Sequence, residues 1–429
     1  MTHRPSLLLF TCGCLGFAAS AQTILLSEDF ESGSLDPGWI WQGLAPVFTS
    51  PGSVSGLCIG KESWDQSGPF PNGAGPYLFH QLPYDPNATY SISADLRVNN
   101  PLNSTAIANC SLGWMETSTG SFSFGGSSVG SISLVWQSVV SSTDPPLTNN
   151  FGATAQFGII LEMNPSALGA YSFYDNVVVV ANNFTPPPPI TLRMRAWLEG
   201  PYVQAQSLMR DDLRAAGLIP AIDPYMGATV TPAVLSVTGN NAIVDWVLME
   251  LRINPENPIA LASSSALIQR DGDIVAADGV SAISFNAAPG YYYVAVKHRN
   301  HLPIMTSIAF PIISIPNSLD LASSSSTPYV RAAPFTGLPR KIIGLHGLMW
   351  AGNVQWDDRL KYTNSSNDRD PILTAIGGII VTNTITGYRR EDVNMDGVVK
   401  YVGINNDRDP ILVNVGGTTP TAVRIAQVP

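Results

Sequence analysis

A mainly β chain of three modules is the fold class this sequence predicts, and three observations predict it. Only 13% of the 429 residues are charged while 45% are hydrophobic, so cores can form but long polar helices are disfavoured. The 37 glycines and 34 prolines, with many Ser, Thr and Asn, punctuate the chain with turns, as short strands in sandwiches require. The run Pro186-Pro187-Pro188-Pro189 holds a stiff extended conformation and separates domains. A second change comes near Arg340-Lys341, after serines 323–326, where Asp and Asn spacing becomes regular. The expected modules are 22–184, 190–341 and 342–429, with 185–189 as the linker.

Residues 1–21 read as an export signal. Arg4 supplies the positive end, residues 7–17 are apolar, and Ala19-Ser20-Ala21 satisfies the small-x-small cleavage rule. No later segment reaches the roughly 20 apolar residues of a membrane helix. The mature protein is therefore expected outside the cytoplasm, without a membrane span. Cys12 and Cys14 leave with the leader, and Cys58 and Cys110 remain. In an oxidising compartment this pair reads as a disulfide staple, with two free thiols as the alternative.

Formal net charge is −10, and it is unevenly placed. Residues 22–184 carry 12 acidic side chains against two basic ones, Lys61 and Arg97. Such a module repels DNA and acidic polysaccharides, so nucleic acid is excluded as a partner. Neutral glycans, cations and basic proteins fit it.

Within the first module, residues 90–98, 131–140, 152–162 and 171–180 alternate with turn clusters and show no helical period, as in an antiparallel sandwich. The opening Glu28-Asp29-Phe30-Glu31-Ser32-Gly33, the later Gly75-Pro76-Tyr77 and the closing Tyr174-Asp175-Asn176-Val177-Val178 resemble carbohydrate-binding-module-like jelly rolls of secreted bacterial proteins. That resemblance implies a structural calcium held by Glu28, Glu31 and Asp175. Trp39, Trp41, Trp64, Trp114 and Trp136 all lie here, and aromatic faces on a rigid sheet can stack on sugar rings. Most are expected in the core. Trp41 and Trp64, among polar and Gly-rich neighbours, are the candidates for glycan stacking.

The middle module opens with an alternating strand at 191–200, and further strands are expected at 241–253, 266–269, 282–285 and 290–297. Asp271-Gly272-Asp273 and Asp278-Gly279 are turn signals, and residues 207–216 suit a helical turn or two. An Ig-like or transthyretin-like sandwich fits. His298-Arg-Asn-His301 has no acid within a few residues and no His-Glu-x-x-His spacing, so it reads as structural. Asp245 is a lone acid in a strand, and one carboxylate does not make a glycosidase pair. Neither a Gly-x-Ser-x-Gly elbow nor a phosphate loop occurs in the sequence. The stretches 245–252, 267–275 and 293–302 together resemble a C-terminal module of large surface proteins from Gram-negative, Bacteroidetes-type bacteria, some labelled haemagglutinin-like. The resemblance implies an adhesive surface context.

Residues 353–378 align with 392–417 at a constant offset of 39, and 13 of the 26 positions are identical. In the second copy, Asp392-Val-Asn394-Met-Asp396-Gly397 matches the start of a calcium loop, with oxygen side chains at alternate positions and Val398 supplying a carbonyl. The arrangement resembles dockerin modules, which carry two such loops, each leading into a helix. Position twelve is Gly403, a departure from that family, so the last ligand is assigned to Asp407 or Asp409. The first copy offers Asn353, Gln355 and Asp357, with Asp368 and Asp370 as late donors. Each Asn-Asp-Arg-Asp arginine, Arg369 or Arg408, is read as neutralising the acids. Pro-Ile-Leu followed by Gly-Gly suits a short helix, giving a strand–loop–helix unit.

These readings converge on a secreted, non-catalytic, calcium-binding surface protein, adhesin-like or glycan-binding. The alternative is an accessory component of an extracellular polysaccharide-degrading system, its terminal module docking to a protein partner. A glycoside hydrolase with an acid pair in the first sandwich is the third reading.

Overall fold

The computed structural model describes residues 22–429 except 36–37, 43–45, 51–56, 63–76, 100–106, 117–120, 146–147, 152–154, 165–170, 187, 313–316 and 336. The expected leader and Trp64 lie outside the described residues. The rest is mainly β, in several largely antiparallel sheets with only short helices.

The first module has strands β1 (Gln22–Glu28), β2 (Trp39–Gln42), β3 (Val47–Thr49), β4 (Cys58–Glu62), β5 (Tyr77–Gln81), β6 (Thr89–Asn99), β7 (Ile107–Glu116), β8 (Phe122–Ser131), β9 (Gln137–Val140), β10 (Ala155–Asn164) and β11 (Tyr171–Asn182). They form two sheets, β3-β4-β11-β6-β9 with β1 also on β11, and β2-β5-β10-β7-β8. Period-two alternation on β6 turns Tyr90, Ile92, Ala94, Leu96 and Val98 into one core with Trp39, Trp114 and Phe157. On β11 the alternation slips at Asn176, whose φ is 48° and where the register to β6 shifts. That bulge lets Tyr174 and Val177, three residues apart, both face the core.

Among the described residues, nine strands of the middle module form one hydrogen-bonded network around one core, with a separate two-stranded pair of Tyr202–Val203 and Leu208–Met209. The network's axis is the strand Ile243–Arg252, buried along nearly its whole length because it is covered on both faces. Gly272 and Gly279, at φ 87° and 79°, make the turns the Asp-Gly pairs signal. The hairpin formed by Lys341–Ile343 and His346–Met349 pairs in parallel with Trp197–Leu198, carrying the chain from this core into the repeat.

In the repeat, Val354 and Val393, Leu360 and Val399, Ile372 and Ile411, and Ile376 and Val415 sit in one small core. Each pair is related by the offset of 39. The helices Arg369–Ala375 and Arg408–Val415 begin at Asp368 and Asp407 and end at Gly377 and Gly416, in line with the Pro and Gly signals. The order within a unit differs from the expected strand–loop–helix. The acidic loop comes first, then a strand, a turn, the helix and a second strand. Pairing is crosswise: Arg359–Lys361 joins Val423–Ile425, which follows the other unit's helix, and Val398–Lys400 joins Thr384–Thr386. The two units interlock.

Candidate functional site

In the second acidic loop, Asp392 is fully buried, and its carboxylate accepts the N–H groups of Asp396 (3.1 Å) and Gly397 (2.8 Å). Asn394 Oδ1 accepts from Asp396 N–H at 2.8 Å, and Asp396 Oδ1 from Val398 N–H at 3.0 Å. Gly397 at φ 86° makes the sharp turn that these bonds close. Asp407 answers from the start of the helix: Oδ1 accepts from Val393 and Asn394 N–H, and Oδ2 from Lys400 N–H at 2.7 Å. Asp409 turns away to Asn406 and Arg408. Between the two late donors, Asp407 faces the loop and Asp409 does not.

Burial pushes the Asp407 carboxyl up to about 8, and the Asp392 charge pushes the same way, against the backbone N–H groups of Lys400, Asn394 and Val393. Burial likewise pushes Asp392 up to about 6, against the pull of Arg299. The loop therefore holds two buried carboxyls whose charged form is disfavoured, while Asp396 is paired with Lys400 Nζ at 3.4 Å. Its oxygen donors suited to a hard divalent cation are Asp392, Asn394, Asp396 and the Val398 carbonyl. Among the described residues, no three His, Cys, Asp or Glu side chains converge as a metal-ligand group. The fit thus rests on two carboxylates, one amide oxygen and one carbonyl.

The first loop is built differently. Asn353 Oδ1 accepts from Asp357 N–H at 3.2 Å while its Nδ2 donates to the Asp357 carbonyl at 2.9 Å. The amide thus closes the turn by itself. Gln355 directs its Nε2 to the Asn367 carbonyl, and Asp357 Oδ1 caps Arg359 N–H. Asp368 pins the loop as Asp407 does, accepting from Gln355 and Lys361 N–H, whereas Asp370 is taken by Asn367 and Arg369. With Asn where the second copy has Asp392, and Asp358 where it has Gly397, this loop brings one carboxylate fewer to the alternate positions than the second.

At the sandwich edge, Glu28 accepts from Phe30 N–H (3.0 Å) and Trp39 Nε1 (3.3 Å), and Glu31 from Leu57 N–H (3.1 Å). Asp175 is buried on β11 and accepts from Asn176 N–H at 2.8 Å. Asp175 and Glu31 both lie near enough to Cys58 for their charges to raise its pKa, and Glu28 pairs with Val177, two residues from Asp175, so the resemblance's three acids share one end of the sheet.

The expected staple between Cys58 and Cys110 is not formed. Both are buried free thiols. Cys58 lies on β4 and donates to the Thr49 carbonyl at 3.2 Å, while Cys110 lies on β7 in the opposite sheet.

Trp39 and Trp114 are core residues, as expected, and Trp136 is half-buried. Trp41, next but one to Trp39 on β2, shares its face of the strand, but at this edge of the sheet it is left 41% exposed. With Leu35, Pro46 and Phe48 it lines a groove of about 380 Å³, whose far wall is the 254–258 loop of the middle module.

Sequence spacing concealed one further cluster. Asp245, fully buried, lies 3.1 Å from His298 Nε2 and 2.9 Å from Arg299 Nε, and accepts from Tyr388 O–H at 2.6 Å. The acid absent near the histidines in sequence comes from 53 residues earlier. Tautomers follow from the partners: Gly200 N–H donates to His301 Nε2 at 3.1 Å, so the His301 proton is on Nδ1. It lies 2.9 Å from His298 Nδ1, which must accept, leaving the His298 proton on Nε2 for Asp245. Arg299 donates to the Arg389 carbonyl, and Asn300 donates to the Arg390 and Asp392 carbonyls. The cluster therefore clamps the repeat onto the middle module. Burial lowers both histidines' pKa, His301 strongly. Burial pushes the Asp245 carboxyl up, but Arg299 and His298 outweigh it and hold it near about 2.

No protein-family model matches this chain, and no curated protein matches it. Similar solved structures include the CBM22-1 xylan-binding domain of Paenibacillus barcinonensis Xyn10C, at 17% identity and TM-score 0.26, covering 39% of this chain and 100% of that one. A cleaved adhesin domain of Lys-gingipain from Porphyromonas gingivalis is 15% identical, with TM-score 0.25 over 37% of this chain and 99% of that one. A carbohydrate-binding module specific for non-crystalline cellulose, CBM28, is 16% identical, with TM-score 0.24 over 36% and 93%.

Proposed function

We propose that the chain is a secreted, non-catalytic, glycan-binding protein of the cell surface, adhesin-like in use, in which calcium has a structural role. The observation that carries this reading is Trp41: its indole is exposed on a rigid strand beside Phe48 and Leu35, while Trp39 and Trp114 on the same sheet are core. An exposed aromatic plane offers a sugar ring apolar burial and CH–π contact. The excess of acids in this module favours a neutral glycan over a polyanion. The buried Asp245–His298–Arg299 cluster is consumed in holding modules together, which supports a scaffold role over a catalytic one.

Calcium, where bound, belongs to the second loop, on Asp392, Asn394, Asp396 and the Val398 carbonyl, with Asp407 bracing the backbone from behind. Its double charge would offset the buried carboxylates. Affinity electrophoresis of the full chain in gels containing soluble neutral polysaccharides tests the glycan reading. Retardation that Trp41→Ala abolishes supports it; wild-type migration unaffected by every polysaccharide removes it.

A further inference from the structure

The groove beside Trp41 has two walls of opposite chemistry, and they come from different modules. The sandwich side is apolar. On the middle-module side, Asn254 Oδ1 accepts from Glu256 N–H at 2.9 Å and Asn257 Oδ1 from Ile259 N–H at 3.0 Å. Each amide oxygen is thereby held in its own turn, and the NH2 group is what each has left to donate. Glu256, whose side chain is 44% exposed, is oriented by the Tyr329 hydroxyl and by Arg331 Nε at 3.3 Å. Its carboxylate keeps accepting capacity toward the groove, because two oxygens carry about four lone pairs.

A neutral sugar is the ligand class that matches such a pair of walls. Its axial C–H face is apolar, and its rim of hydroxyls both donates and accepts. A polyanion meets Glu256 and the acidic sandwich, and a purely apolar ligand leaves the amides and the carboxylate unpaired on desolvation. The volume of about 380 Å³ lies within the usual range of small-ligand sites.

Building on the glycan reading above, we infer that the glycan site is composite: Trp41 supplies the stacking platform, and Asn254, Asn257 and Glu256 of the middle module supply the hydroxyl recognition. Affinity then depends on both modules being held in their observed relation. Two contacts secure that relation, Gln81 Nε2 to the Tyr292 hydroxyl (3.0 Å) and Gln156 Nε2 to the Tyr291 carbonyl (3.1 Å).

The test is calorimetric titration of the full chain with soluble xylan, mixed-linkage β-glucan and galactomannan, comparing wild type, Trp41→Ala and the double variant Asn254→Asp/Asn257→Asp. Asp keeps the turn-closing oxygen and turns each NH2 donor into a charged acceptor, which a sugar hydroxyl acceptor cannot pair with; equal melting temperatures verify that the fold is retained. Expected is a loss of at least about tenfold in affinity for each variant, the scale of one or two lost hydrogen bonds. Loss in Trp41→Ala with full affinity in the Asp double variant overturns the composite site and leaves the sandwich reading standing. Absence of wild-type binding to all three polysaccharides overturns both.

Discussion

Replacing Asp245 with Ala strips a fully buried carboxylate from Arg299, His298 and Tyr388 at once. Arg299 is itself only 5% exposed, so its charge stays behind in a site where water is scarce. It keeps the Tyr388 ring, 4.4 Å from its guanidinium carbon, and the Arg389 carbonyl. Neither neutralises a charge. Breaking a buried ion pair by removing one partner costs about 3–5 kcal/mol, and that is the loss expected here. The cost falls on the junction between the middle module and the repeat. Urea unfolding should therefore show a lower midpoint, and limited proteolysis should release residues beyond 340 earlier than in wild type. The double variant Asp245→Ala/Arg299→Met is expected to recover part of the loss, because the stranded charge leaves with its partner. A loss below about 1 kcal/mol for Asp245→Ala, or a double variant at least as unstable as the sum of the single ones, would falsify the clamp.

Three further outcomes are expected. Below about pH 6.5 the unfolded chain protonates its histidines while His298 and His301, whose folded pKa values are lowered, stay neutral; stability should fall as pH drops, by up to about 1.4 kcal/mol per unit for each. Around them stand Asp245, Arg299, Tyr225, Tyr388, Asp392 and Lys297, so the slope is read as the difference between wild type and His298→Gln, which should be shallower; equal slopes would refute it. Gly200→Ala should be destabilising by about 2 kcal/mol or more, since a Cβ there meets the Val393 carbonyl oxygen at 2.3 Å, and a melting temperature equal to wild type would contradict the close packing of the junction. In native protein, iodoacetamide should leave Cys58 and Cys110 unmodified without any reductant, and after unfolding both should react; burial pushes the Cys58 thiol up to about 12 and Cys110 higher. Mass spectrometry showing a two-hydrogen deficit instead would mean that a disulfide is present.

Much of the fold was legible because it is written in local chemistry. Alternation along β6, Asp-Gly turns at 272 and 279, and Pro and Gly bounding the two repeat helices each depend on a few adjacent residues. The offset of 39 was visible for the same reason, since identical residues mark it. The strands Thr384–Thr386 and Val423–Ile425 carry the same offset without sequence identity, so their crosswise pairing could not be read.

The sequence by itself determined a mainly β chain, its turns, its acidic first module and the two acidic loops of its repeat. Only the tertiary structure decided the rest. It brought Asp245 to His298 across 53 residues, kept Cys58 and Cys110 on opposite sheets, and put Trp41 opposite Asn257. It also set the two loops apart, closing the first with the buried Asn353 amide where the second buries the Asp392 carboxylate. The physical reason is range. Periodicity and turn preference act over a handful of residues, whereas ion pairing, thiol reach and groove walls depend on distances in space between segments that the chain alone does not relate.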